Sequence, residues 1–289
     1  MSTTTTHPVP GMPDPSTTAR SPHAESPLPA VAATPPPIPG ERPTRGVSFG
    51  RLVHVELRKM LDTRAGRWLV IGVGAAIATA LVILFFVDGG QHPFGSYLQA
   101  TTMPMAIILP VVGILAVTSE WSQRTGLVTF TMEPRRIRVG WAKFAASMLV
   151  GIAAFALAIG LAALAHQAAI TFQGITPGWS IGGLVVAGAG LYVLLGLAQG
   201  VGFGMLFKNT PAAIVTYFAL PTAWGILSSL VTWLDTAARW LNLDRTMNPL
   251  FLGKALTGEQ WAQLATSVGV WVVLPLVVGM WRLSRAEVK

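Results

Sequence analysis

Residues 144–207 read FAASMLVGIAAFALAIGLAALAHQAAITFQGITPGWSIGGLVVAGAGLYVLLGLAQGVGFGMLF and contain no Asp, Glu, Lys or Arg. A helix needs about 20 apolar residues to cross the hydrocarbon core of a membrane, so this stretch is long enough to cross twice. Turn-forming residues interrupt it at Gly174, Pro177 and Gly178. The stretch therefore predicts two spanning helices joined by a turn, over residues 144–170 and 181–206.

Similar charge-free stretches lie on both sides of this one, at 68–87, 89–119, 209–234 and 260–281. The chain is 52% hydrophobic and only 11% charged, whereas a soluble domain carries about 25% charged residues. We therefore predict an all-α, polytopic membrane protein. Its six transmembrane helices are expected at 68–87, 101–119, 144–170, 181–206, 212–232 and 264–282.

The distribution of positive charge predicts the orientation. Seventeen of the 20 lysines and arginines lie in the N-terminal region, the loops after spans 2 and 4, and the C-terminus. Cytoplasmic segments carry such an excess, so both termini are predicted to be cytoplasmic. The net charge of +8 then suits the lipid bilayer with its anionic inner leaflet. We expect no nucleic-acid binding, because no basic stripe is interleaved with exposed aromatic residues.

The first 46 residues differ from the rest of the chain. They hold 12 of the 21 prolines and many Ser and Thr residues. A segment of this composition cannot bury enough apolar surface to fold. We predict a disordered cytoplasmic tail at 1–46 and a six-helix membrane domain at 47–289. Between spans 5 and 6, the Trp-rich segment 232–263 is expected to form one or two short amphipathic helices on the outer side.

Residues 49–62 have the pattern of an amphipathic helix. One face carries Phe49, Leu52, Val53, Leu57, Met60 and Leu61, and the other carries Arg51, His54, Arg58, Lys59 and Asp62. Such a helix lies in the membrane interface; the alternative is a plain helix that only directs span 1. Glu56 projects among the apolar residues, so we expect it to pair with a cation, because an unpaired buried carboxylate is costly.

The loop between spans 2 and 3 is the most informative charged segment. Residues 119–143 read SEWSQRTGLVTFTMEPRRIRVGWAK. Glu120 and Arg124 are four residues apart, which places them together on a helix. Pro134, after Glu133, ends the short amphipathic piece that precedes it. By charge alone, this loop could simply anchor the orientation of the protein.

The order of motifs in this loop resembles the permease (membrane-spanning) subunits of type-2 ABC transporters, of the bacterial exporter class. The matching positions are Glu120, Arg124, Thr125, Gly126, Pro134, Arg135, Arg136 and Lys143. The family's usual Gly-Thr order is reversed here, as Thr125-Gly126. Glu56 and Lys59 of the amphipathic helix and the six-span layout also resemble this family, over about residues 48–288.

The resemblance implies several partners and a function. The loop 119–143 would couple to a separate ABC ATP-binding subunit, which would hold ATP and Mg. A second permease subunit would complete the translocation pathway as a homodimer or heterodimer. Export across the cell (plasma) membrane is then expected, and the Ala, Gly and Arg content suggests a bacterial source. The apolar spans favour an amphipathic or lipophilic cargo over a sugar or an ion.

We do not expect this chain to catalyse a reaction by itself. It lacks the G-x-x-x-x-G-K-[ST] phosphate-binding loop, so we expect the ATPase activity on another polypeptide. The chain contains no cysteine, and we predict no catalytic residue, bound cofactor or metal. A membrane-embedded enzyme is disfavoured, because His, Asp, Glu and Ser do not cluster in the spans. A non-transporting scaffold, sensor or immunity protein remains the alternative.

Two features inside the spans complete the predictions. Gly196, Gly200 and Gly204 form a strip of small residues on span 4, which lets another helix approach closely, either within one bundle or across a dimer. His166 is the only ionisable side chain well inside a span. We expect it to form an interfacial polar cap with Gln167 rather than a proton relay.

Overall fold

The computed structural model describes residues 47–87, 91–122, 135–176 and 178–285. The predicted tail at 1–46 therefore lies outside the described residues. The helices are α1 (Phe49–Asp62), α2 (Arg64–Phe86), α3 (Phe94–Ser122), α4 (Arg136–Gln173), α5 (Gly183–Phe207), α6 (Thr210–Leu230), α7 (Asp235–Leu241), α8 (Leu243–Phe251), α9 (Gly258–Val268) and α10 (Leu274–Ser284). A π-helical turn, Gly269–Val273, joins α9 to α10.

Six of the described helical segments are long and apolar enough to cross a membrane, which confirms the predicted number. They are α2, α3, α4, α5, α6 and the continuous run Gly258–Ser284. The described residues contain no β-strand. The chain is therefore an all-helical, multi-pass membrane protein.

The predicted ends of these helices need correction. α4 begins at Arg136, eight residues before the predicted start, and α3 continues past the predicted end at 119. The absence of charge predicts only the part of a helix that crosses the hydrocarbon core, and Glu, Lys and Arg are themselves good helix formers, so a helix continues past that limit. As a result Glu120 and Lys143 lie within helices instead of in a connecting loop.

Short-range chemistry explains where several helices begin and end. Thr63 caps α2, because its side chain accepts a hydrogen bond of 3.0 Å from the Gly66 amide. A Cβ on Gly66 would collide with the Met60 carbonyl, so the sharp bend between α1 and α2 requires glycine. Gly174 follows α4 with φ of 66°, a left-handed conformation that glycine adopts without strain.

α5 is the central helix of the bundle, and it packs against α3, α4, α6 and α10. Its glycine strip faces α3 of the same chain. A Cβ on Gly200 would collide with the Pro110 carbonyl, and one on Gly204 would lie 3.1 Å from the Ile114 carbonyl oxygen. Gly196 lies beside Tyr217 and Pro110. The small residues therefore let α3 and α5 approach with their backbones almost in contact.

The segment between α6 and α9 contains α7 and α8, so the prediction of short helices there is confirmed. Asp235 receives hydrogen bonds from Arg239 at 3.0 Å and from Arg245 at 2.7 Å. The hydrogen bonds from Arg245 and Arg239 hold the pKa of this carboxyl below its ordinary value. Deeper in, the Thr246 and Ser267 hydroxyls lie 2.8 Å apart and join α8 to α9.

His166 does not form the predicted polar cap. Its ring is fully buried among the rings of Phe94, Tyr97 and Trp179, with centroids 4.7–6.1 Å away. Gln167, next to it in the chain, is exposed and bonds to Thr171. The two residues point to different sides of α4 because consecutive helical positions do not share a face.

Candidate functional site

The amphipathic helix α1 buries a carboxylate at the centre of its inner face. Glu56 is 5% exposed and Met60, one turn later, is 9% exposed, where α1 packs against α4 and α2. Phe49 and Leu61, at the two ends of the predicted apolar face, are exposed. The sequence pattern thus located Glu56 on the apolar face, and the fold covers that face with other helices.

Four charged side chains from three helices meet at this point. The Glu56 carboxylate lies 2.8 Å from Lys59 Nζ and 2.7 Å from Lys143 Nζ. Glu120 Oε1 lies 3.0 Å from each of the same two ammonium groups. We refer to Glu56, Lys59, Glu120 and Lys143 as the charged cluster. The prediction that Glu56 pairs with a cation is confirmed.

The cluster balances two carboxylates against two ammonium groups. Lys143 is 3% exposed and has three oxygen neighbours: Glu56 at 2.7 Å, Glu120 at 3.0 Å and the Ala116 carbonyl at 3.2 Å. An ammonium group has three protons to donate, so this environment can satisfy all of them. Removing one member would leave a buried charge without its counter-charge, which is costly.

Lys59 forms the solvent-facing side of the cluster, with its side chain 41% exposed. Partial burial lowers the Lys59 pKa, but the hydrogen bonds and negative charges of Glu56 and Glu120 outweigh this effect, so the pKa lies above its ordinary value. The protonated form of Lys59 is therefore favoured by the folded protein.

The charged cluster joins the two helices that flank residues 123–134. Glu120 lies two residues before the end of α3, and Lys143 lies seven residues after the start of α4. The Glu120–Lys143 ion pair of 3.0 Å thus joins α3 to α4. Through Glu56 the same ion pair is connected to α1. The cluster therefore holds α1, α3 and α4 together.

A second set of contacts lies at the same end of the bundle. Lys208 ends α5 in a left-handed conformation with φ of 53°, and its Nζ donates to the Arg282 carbonyl at 2.9 Å. The same ammonium group lies 4.9 Å from the centre of the Trp121 ring. Burial, followed by the charges of Arg282 and Arg136, lowers the Lys208 pKa. Nearby, the Thr210 hydroxyl donates to the Thr118 hydroxyl at 2.8 Å.

The structure brings together only some of the predicted site residues. Glu56, Lys59, Glu120 and Lys143 form the charged cluster, and Arg135 (exposed) and Arg136 (half-buried) stand at the start of α4. Arg124, Thr125, Gly126, Glu133 and Pro134 lie outside the described residues. The sequence analysis did not single out Lys208 or Thr118. Lys208 could have been noticed as the single charge between spans 4 and 5.

Comparison with known protein families and with curated proteins finds no match for this chain. The fold and the site define its class as an all-helical, multi-pass membrane protein with a buried charged cluster.

Proposed function

We propose that this chain is the membrane permease subunit of an ATP-driven ABC export complex. It would form part of the translocation pathway and couple to a separate ATP-binding subunit through residues 119–143. The observation that carries the proposal is the charged cluster, because it connects α1 to the two helices, α3 and α4, that flank residues 123–134.

A coupling element needs a rigid connection to the helices that it moves. Glu120 and Lys143 are 6% and 3% exposed, and their ion pair joins α3 to α4, the helices that flank residues 123–134. Removing one partner of a buried ion pair strongly destabilises the protein, because the other charge is left buried and unpaired. Separating α3 from α4 would leave both charges unpaired, so the ion pair resists that separation. A force applied at the end of α3 or the start of α4 would then act on α1, α3 and α4 as one unit.

The orientation and location follow from charge. With the loop 119–143 and both termini in the cytoplasm, the charged cluster lies at the inner surface, and α1 lies in that interface as an amphipathic helix. The protein would then be a multi-pass component of the cell membrane, of bacterial type. The short helices α7 and α8 would cover the outer side.

Energy for export would enter through the partner. ATP and Mg would bind to the ATP-binding subunit, and the coupling loop would contact its two states differently, since only differential contacts can shift a conformational equilibrium. A second permease subunit, identical or homologous, would supply the other half of the pathway.

The experiment is gentle purification of the tagged chain from its native host, followed by crosslinking and mass spectrometry. A stoichiometric partner with a phosphate-binding loop supports the proposal, and the mass of the complex distinguishes a homodimer from a heterodimer. A preparation that holds no such partner after crosslinking contradicts it and favours a non-transporting scaffold, sensor or immunity protein.

A matched pair of variants localises the contact. Arg135→Ala with Arg136→Ala should lose the partner while the chain still inserts into the membrane. Arg64→Ala with Arg67→Ala removes the same charge from exposed positions at the start of α2 and should keep it. If both variants retain the ATP-binding partner equally, Arg135 and Arg136 are not the docking residues.

A further inference from the structure

A cavity lies at the opposite end of the bundle from the charged cluster. Its volume is about 210 Å³, and α3, α5, α6, the start of α8 and the π-helical turn all contribute to its walls. Binding cavities for drug-sized ligands are about 300–1,000 Å³, so this one suits a more compact molecule. The residues used below are Tyr192, Gln199, Tyr217, Trp224, Asp244 and Trp271.

The inner part of the cavity carries polar groups that lack protein partners. Gln199 is 4% exposed, and its side-chain amide forms no hydrogen bond within the described part of the chain. The indole Nε1 of Trp224 is buried and also has no partner among the described residues. Buried polar groups are nearly always hydrogen-bonded. A ligand that can both donate and accept would satisfy these two side chains.

The outer part of the cavity is acidic. Asp244 is the only charged residue among the described residues that line the cavity, and its Oδ1 accepts a hydrogen bond of 2.8 Å from the Tyr192 hydroxyl. The nearby arginines do not neutralise it, because Arg239 and Arg245 both pair with Asp235. The Asp244 carboxylate is thus available to a cation that enters the cavity.

Aromatic rings surround the space between these two ends. Five of the lining residues are aromatic, namely Tyr192, Tyr217, Phe218, Trp224 and Trp271. Trp271 is fixed by a hydrogen bond from its indole to the Leu241 carbonyl. Ring faces attract cations and stack with aromatic ligands. A carboxylate and aromatic walls together favour a positively charged aromatic molecule.

We propose that this cavity binds a compact aromatic amine, with the ammonium group at Asp244 and a polar group at Gln199 and Trp224. Binding is a property of this chain alone. That the amine is also the cargo rests on the proposed export function.

The test measures binding of three related probes to the full chain in lipid nanodiscs by isothermal titration calorimetry. The probes are tyramine, phenethylamine (which lacks the hydroxyl) and 4-propylphenol (which replaces the ammonium with a methyl group). Tyramine should bind about tenfold more tightly than 4-propylphenol, the scale of one cation–π contact with a partly exposed ion pair. Phenethylamine should fall between them.

Two variants test which residue contacts each end of the ligand. Asp244→Asn should bring the affinity for tyramine down to that for 4-propylphenol, and Gln199→Leu should bring it down to that for phenethylamine. Glu259→Gln removes an exposed negative charge from the same side of the bundle, outside the cavity, and should change nothing. Thermal unfolding of each variant verifies that it is folded.

Any of three results would overturn the proposal. These are that tyramine does not bind, that the three probes bind equally, or that Asp244→Asn leaves the affinity for tyramine unchanged. The titration needs no ATPase, so its failure leaves the co-purification result intact. Conversely, a chain that lacks an ATPase partner can still bind the amine.

Discussion

Lys143 Nζ lies 2.7 Å from Glu56 Oε2, although 87 positions separate the two residues in the sequence. The bond joins α1 to α4, and Glu120 of α3 completes the contact at 3.0 Å from the same ammonium group. One buried lysine therefore holds together α4, the preceding helix α3 and the more distant α1. The predictions below follow from this joint and from its surroundings.

Replacement of Lys143 by Met should destabilise the protein by about 3–5 kcal/mol, because Glu56 and Glu120 would then share one ammonium group in a buried site. Unfolding of the purified chain in detergent, followed by circular dichroism, measures the loss. Arg58→Ala is the control, since the Arg58–Asp62 pair is exposed and such pairs contribute about 0–1 kcal/mol.

Glu56→Gln combined with Lys143→Met should cost less than the sum of the two single changes, because the Lys59–Glu120 pair of 3.0 Å would remain balanced. Strict additivity in this cycle would mean that the four groups do not act as one cluster.

Stability should also fall at high pH through Lys59. Its pKa is raised in the folded protein, so its contribution is fully present below the ordinary value of 10.5 and is lost as the pH rises through the folded pKa. Melting temperatures measured between pH 9 and pH 12 should drop for the wild type and drop less for Lys59→Arg, which stays charged. Lys254→Arg, at an exposed position, should follow the wild type. Identical curves for all three proteins would contradict the role of Lys59.

Gly200→Ala should destabilise the bundle by about 1–3 kcal/mol, because the added methyl group meets the Pro110 carbonyl and forces α3 and α5 apart. Gly160→Ala is the matched control. The same methyl group there points into open space, so this change should be neutral or stabilising. Unfolding of the two variants side by side checks the prediction, and a similar loss in both would show that backbone contact is not the cause.

The proposed export function predicts that transport depends on Arg135 and Arg136. Arg135→Ala with Arg136→Ala leaves the charged cluster intact, so the chain should still insert into the membrane while efflux of the cargo is lost. The measurement is cargo efflux from cells that express each variant at equal levels, with Arg64→Ala plus Arg67→Ala as the charge-matched control. Normal efflux by the Arg135→Ala, Arg136→Ala variant would contradict a coupling role for these two arginines.

The class of fold follows from the amino-acid sequence alone. Charge-free stretches of about 20 residues or more have no favourable place outside a membrane, and their number predicted the six spanning helices. Local chemistry also placed the turn at Gly174 and the short helices between spans 5 and 6. Glu56 could be recognised as unusual because a helical face is a local property that depends only on spacing.

Which charges meet depends on how the helices pack in the folded chain. The positions of Glu56, Lys59, Glu120 and Lys143 in the sequence do not predict that residues from three helices form one cluster. That contact depends on how α1 folds back against α3 and α4. The cavity at Gln199 and Asp244 was hidden for the same reason: its walls come from segments far apart in sequence. Helix formation is governed by neighbouring residues, whereas a site built between helices is governed by packing, which only the folded chain specifies.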